Sequence, residues 1–346
     1  MNVFPSLVLP PLSAAYRAMM HARLALYRRG TLPVYRLAAP VISVGNVTTG
    51  GTGKTPLVER ICYLLTLEGK KVCVLTRGYG RENPKMRVVV SDGTEILATE
   101  REAGDEPFLL AQNLKGLAAV VSDADRFSAG EWAMSELGAD AFVLDDGFQH
   151  LRLARELDIV AVDATNPWSG NHLLPYGRLR EPVSGLSRAD CIVITRCEQS
   201  DDTRILENEI GRLSRNRPTF LSQMKTKTVR AMTGTVMTSP NRSGPIGAFC
   251  AVGNPQSFFK HLRRDGFQLV FTRAFPDHHV YSQADISELV RDAKKQGATK
   301  MLTTAKDAVK LQSFDLEIEC QVLEIEVSID HEERFIALLQ NAISKP

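Results

Sequence analysis

The sequence predicts an α/β protein: an α/β/α domain on a mainly parallel sheet, joined by a hinge to a second, smaller α/β/α domain. Three observations predict it. From Val41 onward, short β-branched runs alternate with helical periodicity, the pattern of strands linked by crossover helices. Several of those runs are apolar without a break, as strands covered on both faces are. The 346 residues, 44% apolar and 24% charged, suffice for about two packed domains at 100–200 residues each.

Residues 1–38 form an N-terminal segment. Leu12, Tyr16, Met19, Met20, Leu26 and Tyr27 fall at mixed three- and four-residue spacings, which predicts a helix over Leu12–Tyr27. Arg23 interrupts the stripe, and Gly30 and Pro33 end it. The first acidic residue of the chain is Glu59, whereas Arg17, Arg23, Arg28, Arg29 and Arg36 precede it. Such a helix can dock with its arginines in water, or lie on an anionic membrane surface. A targeting peptide has the same composition, but a strand beginning at Val41 leaves it no room. The apolar stretch Val3–Tyr16 is broken by Pro5, Pro10 and Pro11 and falls short of the roughly 18 residues of a membrane span. Met1–Asn2 supplies no basic residue for a secretory signal.

In the first domain, 39–224, strands are predicted at Val41–Val44, Lys71–Thr76, Arg87–Val90, Ala118–Val121, Ala141–Leu144, Asp158–Val162 and Cys191–Thr195. Helices are predicted at Lys54–Leu67, Asp105–Asn113, Arg126–Leu137 and Asp202–Leu213. Lys225–Pro245 is rich in Thr, Ser, Gly and Pro, which predicts a hinge or linker over 225–245. The second domain, 246–346, reads as strand Ile246–Val252, helix Pro255–Arg264, strand Gln268–Phe271 and helix Gln283–Lys295. Strands Met301–Thr303 and Gln321–Ile325 and helix Glu332–Ala342 complete it.

A net charge of +2 carries no basic stripe of a nucleic-acid binder. The six cysteines form no C-x-x-C pair and mostly sit in apolar runs, as reduced core residues of a cytoplasmic protein do.

The chemistry begins at Val41–Pro56. A buried-type strand leads into Thr48-Thr-Gly-Gly-Thr-Gly-Lys54-Thr55, and a helix follows. Glycines there aim backbone N–H groups at phosphate oxygens, and the helix N-terminus adds its positive dipole end. Thr48, Thr49, Gly50, Gly51, Thr52, Gly53, Lys54 and Thr55 are therefore the expected nucleotide-binding residues, with Lys54 on the β- and γ-phosphates and Thr55 on Mg²⁺. The strict pattern G-x-x-x-x-G-K-[ST] wants glycine where Thr48 stands. Ala141-Phe-Val-Leu-Asp145-Asp146 is an apolar strand ending in two carboxylates, where nucleotide enzymes place an Mg²⁺ partner. Asp146 can be a second ligand or a base. Asp105 and Glu106 open a helix, where acids also serve as caps. Arg77, Arg126 and Arg180 can clamp phosphates or form surface ion pairs. His278 and His279 follow Asp277 and can act as ligands or as a base with a carboxylate.

These runs resemble the tetraacyldisaccharide 4'-kinase family of the lipid A pathway. Val44–Pro56, Arg77-Gly-Tyr-Gly-Arg81, Gly104-Asp-Glu-Pro107, Asp145-Asp-Gly-Phe-Gln-His150 and Leu174–Pro182 carry the resemblance. Gly253-Asn-Pro255, Phe275-Pro-Asp-His-His279 and Thr304–Lys310 extend it over nearly the whole chain. Thr48 is a feature of that family; Ala305 stands where it often has an acid. The resemblance implies a P-loop NTPase-like domain with a smaller partner domain, and ATP- and Mg²⁺-dependent phosphorylation of the 4'-hydroxyl of a tetraacylated glucosamine disaccharide 1-phosphate. It implies peripheral attachment to the cytoplasmic face of the bacterial inner membrane, with the lipid disaccharide and that surface as partners. No nucleic acid and no obligate protein partner are expected. It further implies Asp105 as general base paired with His278 or His279, Glu106 beside Thr55 at the metal, and Asp145 and Asp146 organising Mg²⁺ and substrate. Gln149, His150 and Glu181 join Arg77, Arg126 and Arg180 as candidate substrate contacts. Spacing alone favours Asp146 as base and Asp105 as cap; the resemblance favours Asp105. The rival class is a P-loop ATPase or GTPase acting as a switch or metal chaperone.

Overall fold

The computed structural model describes residues 4–200, 202–232, 244–277, 279–311, 314 and 316–344. The chain runs α1 (Phe4–Arg28), β1 (Val41–Gly45), α2 (Lys54–Leu67), β2 (Val72–Thr76), β3 (Val88–Ser91), α3 (Glu100–Ala103), α4 (Asp105–Asn113), β4 (Ala118–Ser122), α5 (Arg126–Leu137), β5 (Ala141–Asp145), β6 (Leu157–Asp163), β7 (Cys191–Thr195), α6 (Arg204–Ser214) and β8 (Thr219–Ala231). It continues β9 (Ile246–Cys250), α7 (Pro255–Arg264), β10 (Leu269–Ala274), α8 (Gln283–Lys295), β11 (Lys300–Thr304), α9 (Ala305–Lys310), β12 (Cys320–Ile329) and α10 (Glu332–Ile343).

The strands join in one sheet, ordered β10-β9-β11-β12-β8-β7-β6-β1-β5-β2-β4-β3. Every pairing is parallel except β3 with β4 at one edge and β8 with β12 inside. Strands β1, β2, β4, β5, β6 and β7 are buried at every residue, which is why they read as unbroken apolar runs. β1 lies between β5 and β6, so the carboxyl ends of these strands open on the crevice where such sheets bind ligands. The six cysteines are all buried and free.

The antiparallel pair β8–β12 revises the predicted hinge. Residues 225–231 are strand, and 233–243 lie outside the described residues. β8 first pairs with β7 through Thr219–Leu221, then with β12 from Ser222 to Ala231. Its side chains alternate, with Phe220, Ser222 and Met224 inward and Gln223, Lys225 and Lys227 outward. A half-exposed strand of Thr and Lys lacks large apolar residues and so resembles a linker in sequence. The pairing slips at Glu324 and Ile325, which face Thr228 and Thr226. Lys227 is the extra residue of a β-bulge, which bends a ladder locally.

The chain end also departs from the expected boundary. β12 carries the chain back, and α10 packs on the first unit. Phe335, Leu339 and Ala342 join Ile42, Leu57, Ile61 and Val143 in one core, and Phe335 meets Phe220 edge-on at 5.3 Å. Residues 246–346 therefore do not form a unit by themselves, because spatial order is not chain order here.

α1 is longer than its predicted Leu12–Tyr27 and runs through Pro10 and Pro11. It docks on the first unit by one face. Ser13 donates to the Leu173 carbonyl (2.8 Å), Tyr16 to that of Arg180 (2.7 Å) and Arg23 to that of Gln149 (3.2 Å), while Met20 is buried. Leu12, Met19 and Leu26, seven residues apart, remain exposed beside that face. No described helix is long and apolar enough to cross a membrane.

Phe335→Ala should destabilise the protein by about 3–5 kcal/mol, as truncating a buried aromatic does. Urea denaturation checks this; a loss under about 1 kcal/mol would show that α10 is not core to the first unit.

Candidate active site

The loop between β1 and α2 is built to leave its amides free. Gly53 has φ +76, a left-handed conformation that favours glycine. No side chain caps α2 at Gly53, which leaves the first-turn N–H groups for an anion. The loop is braced from outside. Asn46 Nδ2 donates to Thr52 Oγ1 (2.9 Å), Thr195 Oγ1 to the Thr52 carbonyl (2.8 Å) and Arg196 Nη1 to the Gly51 carbonyl (2.7 Å). Thr48 makes an antiparallel bridge with Leu179. It sits at negative φ, so its backbone needs no glycine.

Beyond the loop a cavity of about 1390 Å³ runs from α1 to the β8–β12 pair. Lys54, Thr55, Glu106, Asp145 and Asp146 share its wall. Lys54 Nζ stands 3.3 Å from Asp146 Oδ1, and Arg180 Nη1 is 2.5 Å from Asp146 Oδ2. Burial pushes the Asp146 carboxyl up, but Lys54 and Arg180 outweigh it and hold the group well below the usual carboxylate range. Asp146 is thus an ionised brace between two cations, which ill suits it as a base. Asp145, at the end of β5, accepts from Thr76 Oγ1 (3.3 Å). Burial first, then Asp146 and Glu106, push its carboxyl up to about 7. This concentration of negative charge, with oxygen donors from Thr55, Asp145 and Glu106 on one wall, fits a hard divalent cation shared with phosphates. Among the described residues no cluster of three or more His, Cys, Asp or Glu forms a cage for a metal, and Mg²⁺ requires none.

The end of the cavity beside α1 is cationic. Arg77, Arg126, Gln149, His150 and Arg180 line the cavity beside Tyr16, Met20 and Arg23 of α1. Arg126 is buried, and burial and then Arg77 lower its pKa. Burial, then Arg126 and Arg155, push the His150 imidazole down to about 3, so it is neutral at ordinary pH. Glu181 departs from its expected substrate contact. It is fully buried, one oxygen taken by Gln149 Nε2 (2.7 Å) and the other by Arg188 Nη2 (2.6 Å). It fixes Gln149 instead.

Asp105 opens α4 beside the cavity wall. Lys310 Nζ is 3.1 Å from its Oδ2, and Lys306 Nζ is 3.8 Å from the same oxygen. Of the two candidate histidines, His279 is engaged elsewhere: it stacks on Phe275 at 4.8 Å, and its Nε2 lies 3.2 Å from Asp285 Oδ2. His278 lies outside the described residues. The two lysines, and the braces Asn46, Thr195 and Arg196, escaped sequence reasoning. Only the i, i+4 spacing of Lys306 and Lys310 could have signalled the pair. The second unit also touches the loop. A Cβ on Gly253 would stand 2.5 Å from the Gly51 amide nitrogen, and Asn254 Nδ2 donates to Thr165 Oγ1 (3.1 Å) beside the Arg196–Asp163 pair.

An uncapped glycine-rich loop, strand-end carboxylates and a cationic chamber in one cleft are the parts of a P-loop phosphotransferase. The model of the family described as tetraacyldisaccharide-1-P 4'-kinase matches residues 5–344. The tetraacyldisaccharide 4'-kinase of Pelobacter propionicus is 40% identical over 322 residues, 90% of this chain and 84% of its own length. That of Desulfotalea psychrophila is 39% identical over 319 residues, 89% and 88% of the two chains. The crystal structure of LpxK from Aquifex aeolicus in complex with ATP superposes with a TM-score of 0.77 at 32% identity, covering 96% of this chain and 98% of that one. The chain belongs to the tetraacyldisaccharide-1-P 4'-kinase family.

Glu59, on α2 at the same cavity, provides a pH test. Its Oε1 accepts from Asn113 Nδ2 (2.7 Å). Burial pushes the carboxyl from 4.5 up to about 7, with Glu324 adding and Asn113 and Lys227 opposing. A carboxyl raised on folding contributes stability that is fully present below pH 4.5 and lost as pH rises through about 7. Glu59→Gln should therefore melt above the parent at high pH, with the difference closing in acid. Melting curves across that range check this; a pH-independent difference would count against it.

Proposed function

We propose that the chain transfers the γ-phosphoryl group of ATP to the 4'-hydroxyl of a tetraacylated glucosamine disaccharide 1-phosphate. The observation that carries this reading is the continuity of one cavity from the phosphate loop to an arginine-lined chamber under α1. A nucleotide phosphate and a phosphorylated sugar acceptor both require cations, and this cavity supplies them at both ends. Family membership and the ATP-bound relative support it.

In this mechanism Thr48–Thr55 cradle the phosphates, and Lys54 neutralises charge on the β- and γ-groups. Thr55, Asp145 and Glu106 would hold Mg²⁺, which supplies further neutralisation when bound. Asp146 fixes Lys54 and Arg180 relative to each other. Arg77 and Arg126 hold acceptor phosphate, while Gln149 and neutral His150 offer hydrogen bonds to the sugar. Asp105 takes the proton of the 4'-hydroxyl as its oxygen bonds to the γ-phosphorus, the bond to the β-phosphate oxygen breaks, and ADP leaves. A histidine at 278 is the remaining candidate partner for Asp105. Closure of the two units about β8–β12 excludes water, a competing acceptor.

We place the protein at the cytoplasmic face of the inner membrane, held peripherally by α1. The support is the exposed apolar stripe Leu12, Met19 and Leu26, with Arg17 and Arg28 exposed on the same helix and Arg29 exposed just after it.

Incubation with MgATP and the lipid disaccharide should give a product heavier by one phosphate in mass spectrometry. Phosphate release with no phosphorylated lipid would favour a P-loop ATPase. Asp105→Ala should cut turnover by about 10²–10⁴-fold, the contribution of a general base, while ATP still binds in a fluorescent-nucleotide titration. Near-parental turnover would rule Asp105 out as base. Arg17, Arg28 and Arg29 changed together to Glu should weaken binding to phosphatidylglycerol vesicles at least about a hundred-fold, at about 1 kcal/mol per arginine. Unchanged co-sedimentation would refute the membrane role of α1.

A further inference from the structure

Helix α9 has six residues, too few to hold a geometry by themselves. Asp307 anchors it. This residue is fully buried, and its carboxylate accepts from the Ala251 amide (3.1 Å to each oxygen), Tyr281 Oη (2.9 Å) and Thr304 Oγ1 (2.6 Å). Thr304 in turn caps the Asp307 amide at 3.1 Å. The helix is therefore a fixed platform on the second unit.

Lys306 and Lys310, four apart, project from one face of that platform. Both reach the first turn of α4, which belongs to the first unit. Lys310 Nζ is 3.1 Å from Asp105 Oδ2. Lys306 Nζ is 3.8 Å from that oxygen, 3.0 Å from Glu106 Oε1 and 3.3 Å from Asp277 Oδ1. The lysine side chains are only 13% and 10% exposed, and that of Asp105 9%. Enclosed ammonium–carboxylate contacts of this kind are directional, and removing one partner leaves the other stranded.

We propose that Lys310, assisted by Lys306, is a positioning residue for the transfer. The second unit carries a two-lysine clamp that grips Asp105 and Glu106 when the units meet. It fixes the Oδ2 side of the Asp105 carboxylate. The clamp makes the base competent only in the closed protein, which ties proton removal to the exclusion of water. This inference rests on the reading of Asp105 as the base.

The test is steady-state kinetics of full-length Lys310→Met, Lys310→Arg and Lys306→Met with MgATP and tetraacyldisaccharide 1-phosphate, alongside thermal melting. Lys310→Met should lower kcat about 10²-fold, the effect of misplacing a reacting group by an ångström. The KM for ATP should stay within about two-fold, since the phosphate loop is untouched. Lys306→Met should act in the same direction, and Lys310→Arg should recover much of the loss. Should Lys310→Met fail to fold, Lys310→Gln carries the same expectations. Parental kcat in a folded variant, a loss confined to the KM for ATP, or an Arg variant no better than Met would overturn the clamp. Asp105→Asn separates the two readings. If it keeps full turnover, base and clamp fall together; if it is inactive while Lys310→Met is fully active, only the clamp falls.

Discussion

A backbone loop that aims its amides inward at an anion must aim carbonyls outward, and those carbonyls need donors. That constraint organises the centre of this protein. Thr195 and Arg196, at the end of β7, donate to the carbonyls of Thr52 and Gly51, and Asn46 at the end of β1 holds the Thr52 hydroxyl. The ends of β1 and β7, on either side of β6, therefore set the loop before any ligand arrives, and the loop loses little freedom on binding. Arg196 can serve only because Asp163 on β6 pairs with it in a buried setting, where an unpaired guanidinium would be costly. The chain of support runs strand end, ion pair, loop carbonyl, free amide.

The charges of the cleft follow from the same economy. Asp145 and Asp146 are adjacent in sequence yet diverge in behaviour. Lys54 and Arg180 flank Asp146 and keep it ionised, whereas burial, with Asp146 and Glu106 adding, pushes Asp145 up to about 7. Environments that drive neighbouring carboxyls apart assign them different work. Asp146 is an internal strut that spaces two cations; Asp145 is the carboxyl whose ionised form awaits a counter-charge.

Much of this was legible in the sequence, and the failures have physical causes. The first-unit strands were readable because burial on both faces demands continuous apolar residues. The phosphate loop was readable because glycine and a helix start leave a local signature. Thr48 looked anomalous only because the glycine rule assumes a loop that turns there, whereas this one pairs with Leu179. β8 was missed over 225–231 because a half-exposed strand needs Thr and Lys rather than large apolar residues. α10 was assigned to the wrong unit because sequence does not reveal which strand brings the chain home. Glu181 looked available because its neighbours Arg180 and Leu179 line or shape the cavity; its burial against Gln149 and Arg188 is a tertiary fact. Lys306 and Lys310 left no local signal beyond their i, i+4 spacing, since their meaning lies in α4, two hundred residues earlier in the chain.

The second unit reaches the cleft at two points of different kinds. At Gly253 it approaches the loop backbone so closely that no Cβ fits, a steric contact that requires glycine there. At α9 it offers ammonium groups to the acids of α4, an electrostatic contact that favours closure. Between these points the chain crosses twice, through β8 and β12, whose bulge at Lys227 interrupts an otherwise regular ladder. A double crossing resists twisting more than a single linker would, while a bulged pair still bends. For a phosphoryl donor that water would otherwise attack, a second unit held against the phosphate loop by both kinds of contact helps to keep solvent out.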